Sequence, residues 1–341
     1  MTRTLQATDD NMKPAVAEAA RLLREGEIVA LPTETVYGLA ADAFNPAAVA
    51  KIFEAKERPS FDPLIVHIAS RKDLARVAVV PPEMEQVVNQ LTTAFWPGPL
   101  SLVLPKHPDV PDLVTSGLPT VAVRQSAHPL FRAVGKELGN PLAAPSANRF
   151  GRISPTSASA VLKELEGRIP LVIDGGACSQ GLESTIVSIE LREGKKPILR
   201  LLRAGPVTKE ELQKFGKVEK ANERPGELPH APGQLPGHYA PVTPFRLLEN
   251  PQDFCAEPGK IYGLLSYRGD DDSPWVRLHE WTRIEALSPG SGKLAEAAMR
   301  LFFVMRLLDE SGVDEIIAEP VSETGLGVAI MDRLRRASHP G

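Results

Sequence analysis

Apolar residues recur at helical spacing from Ala15 to Arg24, and Gly26 follows, so the pattern predicts a helix that stops there. The run EIVALPT comes next as a strand. NPAAVAKIFEAK is again helical, with Asn45 as N-cap and Pro46 at the first helical position. Short runs rich in β-branched and apolar residues predict buried strands at PLIVHIAS, LSLVLPK, TVAVRQS, PLAAPSA, LVIDGG and STIVSIEL. Helical spacing lies between several of them, around Met84 to Ala94, Leu130 to Leu138 and Ser157 to Leu165. This irregular alternation predicts an α/β domain on a mixed sheet and not a strictly doubly wound one.

The pattern breaks after Lys220. ERPGELPHAPGQLPGHYAPVTP is dense in proline and glycine, has no periodicity, and reads as an extended linker. A smaller unit follows: a strand at KIYGLLSY, an amphipathic helix at GKLAEAAMRLFFVMRLLDESG, a strand at VDEIIAEP, and a glycine-opened helix at GLGVAIMDRLRRAS. That order predicts a small βαβ-like domain. The domains expected are thus 1–220, a linker over 221–244, and 245–341.

Composition narrows the classes. With 341 residues, 43% hydrophobic and 24% charged, the chain is an ordinary globular one. A net charge of −4 argues against broad coating of nucleic acid but leaves room for a local basic pocket. The N-terminal MTRTLQATDDNMK has no apolar core of a signal peptide, and no run of about 18 apolar residues predicts a membrane span. Cys178 and Cys255 lie far apart without metal-ligand spacing, which fits a reducing cytoplasm.

Three polar clusters interrupt the apolar runs. In LPTETVYGLAADA a strand ends in a polar turn. Thr33 and Thr35 alternate with Pro32 and Glu34, which turns both hydroxyls to one side, either a solvated strand face or the wall of a site. In FEAKERPSFDPLIVHI, Lys56 closes a helix, where lysine complements the dipole, and Pro59 holds Arg58 extended. Two cations on a stiff turn also suit a polyphosphate, arginine as a planar fork and lysine as a point charge. His67 sits mid-strand, as a core histidine or a site residue. In APSANRFGRISPTSA, Ser146 and Asn148 frame a tight turn and Ser154 follows; such side chains cap helices or donate to phosphate. Arg124 and Arg203 fall at buried positions, where a guanidinium needs an anion from a ligand or from an internal carboxylate. There is no Walker A loop, no Rossmann glycine fingerprint in the first domain, no Cys/His metal set and no Ser-His-Asp order.

As an ordered set, these stretches resemble the Sua5/YrdC/YciO family in its longer Sua5 form. LPTETVYGLAADA, KER before PLIVHI, FWPGPLSLVL, VAVR, APSAN, SPT, ESTIV and LLRAG stand in family order, and APGQLPGHYAP and GLGVAIMDRLRRAS resemble the Sua5-specific parts. The resemblance implies a YrdC-like twisted mixed sheet with a large basic cavity, a linker acting as a lid, and a small Rossmann-like C-terminal domain. It implies a nucleotidyltransferase that makes threonylcarbamoyl-AMP from L-threonine, bicarbonate or CO2, and ATP, releasing pyrophosphate. That product feeds N6-threonylcarbamoylation of adenosine 37 in tRNAs reading ANN codons. A separate complex performs the transfer, so contact with tRNA is indirect.

By the family's motifs, Lys56 and Arg58 form a K-x-R pair and Ser146 and Asn148 an S-x-N pair, all implied as catalytic residues near the nucleotide. Thr120, Ser154 and Arg203 are implied at ATP, and Tyr239 reaches back from the linker to cover it. Thr35, His67, Arg124 and Ser184, with the backbone of Ala144, are implied around L-threonine, Arg124 on its carboxylate. Mg2+ is expected to ride on the triphosphate without a protein cage. Asp62 stands where the family often has asparagine and is carried over as an ATP contact; Phe150 replaces a frequent serine. Two other readings compete. An RNA-binding, translation-associated module without adenylation chemistry is disfavoured by the charge and the 5% aromatic content. A YciO-like relative with another substrate is opposed by the linker tyrosine and the C-terminal unit.

Overall fold

The computed structural model describes residues 1–8, 11–192, 194, 196–221, 232 and 237–339. The chain forms two units. The first takes Met1–Phe150, Pro155–Ser179 and Glu183–Gln234; the second takes Gly151–Ser154, Gln180–Leu182 and Leu235–Gly341. The linker expected over 221–244 lies largely outside the described residues. Among those described, no helix is long and apolar enough to cross a membrane.

The first unit is built on one mixed sheet of eleven strands. They are β1 (Arg3–Gln6), β2 (Val29–Leu31), β3 (Gly38–Asp42), β4 (Ile65–His67), β5 (Leu100–Pro105) and β6 (Thr120–Arg124). The series continues with β7 (Leu142–Ala143), β8 (Leu171–Asp174), β9 (Thr185–Glu190), β10 (Ile198–Arg203) and β11 (Lys217–Lys220). Across the sheet they run β1-β8-β2-β3-β7-β4-β6-β5-β9-β10-β11. Both faces are covered. Ala30, Leu39, Val66 and Val123 join one core layer with Ile52 and Phe53 of helix Pro46–Lys56. Val29, Leu31, Ala40 and Leu142 turn to the other, against Leu23, Phe131 and Val134. Burial on both sides is why these strands read as continuous apolar runs.

Some expectations shift. The 32–37 stretch is a loop between β2 and β3 and does not continue the strand. PLAAPSA keeps only two strand residues, Leu142–Ala143, before its chain turns. Strands β1, β3, β10 and β11 were not expected; β1 is mostly exposed and so carries no apolar alternation.

In the second unit, β12 (Phe245–Leu247), β13 (Tyr262–Ser266), β14 (Arg283–Ala286) and β15 (Glu315–Ala318) pair in the order β12-β15-β13-β14. All three pairings are parallel. Helices Leu294–Asp309 and Gly327–Ala337 complete it; both helices and the strands β13 and β15 were expected, whereas β12 and β14 were not.

Candidate active site

Ladder register builds the first half of the site. Strands β4 and β6 run parallel with His67 opposite Arg124. The 32–37 loop supplies their companions. Thr33 Oγ1 accepts from the backbone N–H of Thr35 and of Val36 and lies 2.9 Å from Thr35 Oγ1. This local turn explains why the strand stops at Leu31: hydroxyls compete with the ladder for backbone donors. Both threonines are buried, at 2% and 0% exposure, so the solvated strand face is excluded.

Arg124 uses all three of its nitrogens. Nη1 donates to Thr35 Oγ1 at 2.9 Å, Nε donates to the Gly98 carbonyl at 3.2 Å, and Nη2 pairs with Glu34 Oε1 at 2.7 Å. The anion that a buried arginine requires is therefore internal. Burial raises the pKa of Glu34. The Arg124 charge, the Ser126 hydroxyl and the Ala127 N–H outweigh that and hold it near 2. Arg124 keeps one N–H on each Nη for a ligand. His67 is buried against the Phe131 ring at 4.8 Å. Burial, then the Arg124 charge, lowers its pKa to about 3, so the ring is neutral. Ala144 borders it: its N–H donates to the Ile65 carbonyl one strand away.

Ser184, just before β9, is fully buried and lies 2.9 Å from Ser101 Oγ of β5. Arg203, at the end of β10, donates from Nη2 to Ser184 Oγ and from Nε to the Ser184 carbonyl, both at 3.1 Å. Gly205 permits this approach, because a Cβ there would lie 2.5 Å from the Glu183 carbonyl and the Thr185 nitrogen.

The second half of the site starts where helix Pro46–Lys56 ends. Glu57 adopts a left-handed conformation, φ 54°, and the Arg58 N–H closes back on the Phe53 carbonyl. That reversal, strained for a residue with a Cβ, buries Lys56 and Arg58 at 1% and 7% exposure. Lys56 Nζ donates to the Ser146 carbonyl at 2.6 Å and to the Asn148 carbonyl. The K-x-R lysine thus pins the S-x-N turn. Burial, then the Arg58 charge, pushes its pKa well below the ordinary lysine value. Arg58 donates from Nε to the Asp62 carbonyl at 3.1 Å and from Nη2 to the Pro63 carbonyl at 2.8 Å, and pairs with Asp62 Oδ2 at 2.8 Å. Asp62 is fully buried, and its pKa is raised by burial against the opposing charges of Arg58, Lys56 and Arg203.

Not every expected residue joins this group. Thr120 opens β6, four residues and roughly 13 Å along the strand from Arg124, at the end where the 56–62 turn enters. Ser154 and Tyr239 belong to the second unit. There the Tyr239 ring lies 5.0 Å from the Arg333 guanidinium and 5.6 Å from the Phe302 ring. Phe150 lies 6.0 Å from the Arg58 guanidinium, so the residue standing in for serine offers a ring face. Sequence reasoning missed Glu34 and Ser101. Glu34 had a signal: it is the carboxylate between the two threonines, and Arg124 needed one.

Residues 21–205 match the family model of Sua5, YciO and YrdC proteins, whose description is "telomere recombination". Residues 207–339 match the model described as the C-terminal domain of threonylcarbamoyl-AMP synthase. The chain is 42% identical to the threonylcarbamoyl-AMP synthase of Bacillus subtilis, over 95% of this chain and 93% of that one. It is 41% identical to that of Pyrococcus abyssi, over 94% and 93%. The crystal structure of Pyrococcus abyssi Sua5 complexed with L-threonine superposes with a TM-score of 0.84 at 38% identity, covering 99% of this chain and 97% of that one. These matches establish that the chain belongs to the Sua5/YciO/YrdC family, with both Sua5 domains present.

Proposed function

We propose that the chain synthesises threonylcarbamoyl-AMP from L-threonine, bicarbonate or CO2, and ATP, as a nucleotidyltransferase that releases pyrophosphate. The observation that carries this reading is the bond between Arg203 and Ser184. It joins Ser184, which the family's motifs imply at L-threonine, to Arg203, a cation whose charge acts on Asp62 and which the motifs imply at ATP, so an amino acid and a polyphosphate would meet there. Family membership also favours this reading over an RNA-binding module.

The threonine amine adds to CO2 and loses a proton, giving a carbamate. A carbamate oxygen then attacks the α-phosphorus, the bond from that phosphorus to the bridging oxygen breaks, and pyrophosphate leaves. No protein nucleophile takes part; the chain positions anions, neutralises charge and excludes water. The spare N–H groups of Arg124 hold the threonine carboxylate, with Thr35, Ser184, His67 and the Ala144 backbone around the rest. His67 stays neutral and so adds no charge against the substrate. Arg58, Arg203, Ser146 and Asn148 take the nucleotide, with Lys56 holding the turn; Thr120 and Asp62 complete its contacts within the first unit. Mg2+, when bound, would neutralise phosphate charge; Asp62, fully buried, paired with Arg58 and ringed by cations, does not fit a hydrated divalent cation. The reaction is the first step toward N6-threonylcarbamoyladenosine 37 in ANN-reading tRNAs, in the cytoplasm, with a separate complex completing the transfer.

The test is pyrophosphate release by the purified chain with Mg-ATP. Release should require L-threonine and bicarbonate together. Release that ignores either one would sink the proposal.

A further inference from the structure

We propose that the first unit carries a second anion site, for a phosphate group, in the cleft between helix Pro129–Leu138 and the 69–76 turn. None of the residues lining this cleft belongs to the candidate active site, and the proposal stands apart from the synthase reading above.

Three observations carry it. First, the cleft has the size of a ligand site. It encloses about 440 Å3, and small-molecule sites run from about 300 to 1,000 Å3. Second, three cations line it and none is paired with a carboxylate. Arg76 stands on the short helical turn Leu74–Val77, while Arg132 and Lys136, four residues apart, share one face of the opposite helix. Arg76 donates from Nη1 to the Gly139 carbonyl at 2.9 Å and from Nη2 to Asn140 Oδ1 at 2.8 Å, and its guanidinium lies 5.4 Å from the Phe44 ring. Arg132 donates from Nη1 to the Ser126 carbonyl at 2.8 Å. Those acceptors are uncharged, so they hold both guanidinium groups in place without neutralising them. Lys136 has no partner among the described residues. The one carboxylate in the lining, Asp73, has Oδ2 turned to the Ser70 N–H at 3.0 Å. Beyond the lining, Glu137 pairs with Arg24, and Asp42 accepts from the Asn140 amide. The lining thus carries a formal charge of 3 − 1 = 2, positive, in a chain whose net charge is −4. Third, the cations stand on two facing walls. A phosphate presents oxygens in several directions and can meet Arg76 on one side and Arg132 with Lys136 on the other. A carboxylate has two oxygens in one plane and suits a single fork. Both arginines keep unspent N–H donors for the ligand.

The probe is 32P-labelled orthophosphate, followed by equilibrium dialysis against the purified full chain. Arg76 and Lys136 are exposed, so the affinity should fall as salt is raised. Lys136→Glu reverses a charge on an exposed side chain with no partner to lose, so the fold is kept. It should weaken binding about tenfold or more, the loss of a charge-assisted hydrogen bond and its replacement by repulsion. Lys136→Gln should fall between it and wild type. Equal binding by wild type and Lys136→Glu would overturn the site and assign any bound phosphate to the candidate active site. Pyrophosphate in place of orthophosphate separates the sources. Tighter binding that depends on Lys136 identifies a diphosphate as the occupant, and equal or weaker binding identifies a single phosphate group. Acetate that displaces phosphate at equal concentration would overturn the phosphate assignment and leave an unselective cationic cleft.

Discussion

Replacing Glu34 by glutamine tests the internal anion of the site. Glu34 Oε1 faces Arg124 Nη2 at 2.7 Å and Oε2 accepts from Ser126 Oγ at 2.5 Å, with side chains 8% and 4% exposed for the ion pair. Glutamine must turn its amide NH2 toward one of those donors. Breaking a buried pair by removing one partner costs about 3–5 kcal/mol. Proton linkage gives a similar figure. The carboxyl falls from its ordinary 4.5 to about 2 in the fold, and about 1.4 kcal/mol per pH unit makes this about 3 kcal/mol. Because the folded pKa is depressed, this stability is fully present above pH 4.5 and is lost as pH falls toward 2. The assay is urea unfolding from pH 7 to pH 3, read by Trp96, which is buried in the first unit. Trp275→Phe and Trp281→Phe in the background silence the second unit. Glu34→Gln should lose about 3 kcal/mol at pH 7, and the gap to wild type should narrow through the acid window. Equal stability at pH 7, or parallel acid profiles, would refute the ion-pair account.

Thr35→Val keeps the shape but removes the acceptor of Arg124 Nη1; KM for threonine should rise about tenfold, the loss of about 1–2 kcal/mol, with the KM for ATP nearly unchanged. Equal increases for both substrates would count against the assignment. Ser101→Ala leaves Ser184 without its partner hydroxyl and should cost about 1 kcal/mol of stability and raise the threonine KM a few-fold. If kinetics do not move, Ser101 is only a packing residue. His67 should show no titration above about pH 4 by 15N NMR, given its pKa near 3. Its folded pKa lies below the ordinary 6.5, so its opposition to folding grows as pH falls from 6.5 toward 3 and is complete below that; a midpoint near 6.5 would show that the ring is not buried as described.

Several strands of the first unit were legible where both faces are buried, because LSLVLPK, TVAVRQS and PLIVHIAS are mostly apolar and rich in β-branched residues. The helix start at Asn45 was legible too: its side chain accepts from the N–H groups of Ala47 and Ala48. The loop at 32–37 was not, since threonine favours strands and only the Thr33 side-chain bonds to backbone turn the chain. Arg124 and Arg203 were legible as buried cations that need partners. Their partners were only half legible. Glu34 is a side chain that a charge argument could have reached, but Lys56 bonds to main-chain carbonyls, which every residue possesses and no sequence displays.

That last contact has a chemical consequence. Lys56 Nζ is a primary amine held inside the protein, with the whole residue 1% exposed. Amine-directed reagents can reach it only when the helix end and the 146–148 turn separate. An acylated Lys56 would lose its charge and could no longer hold both carbonyls, so the opened segment could not close again in the same form. The rate at which Lys56 becomes labelled would therefore act as a clock for the opening of this one junction, while the exposed lysines label without delay.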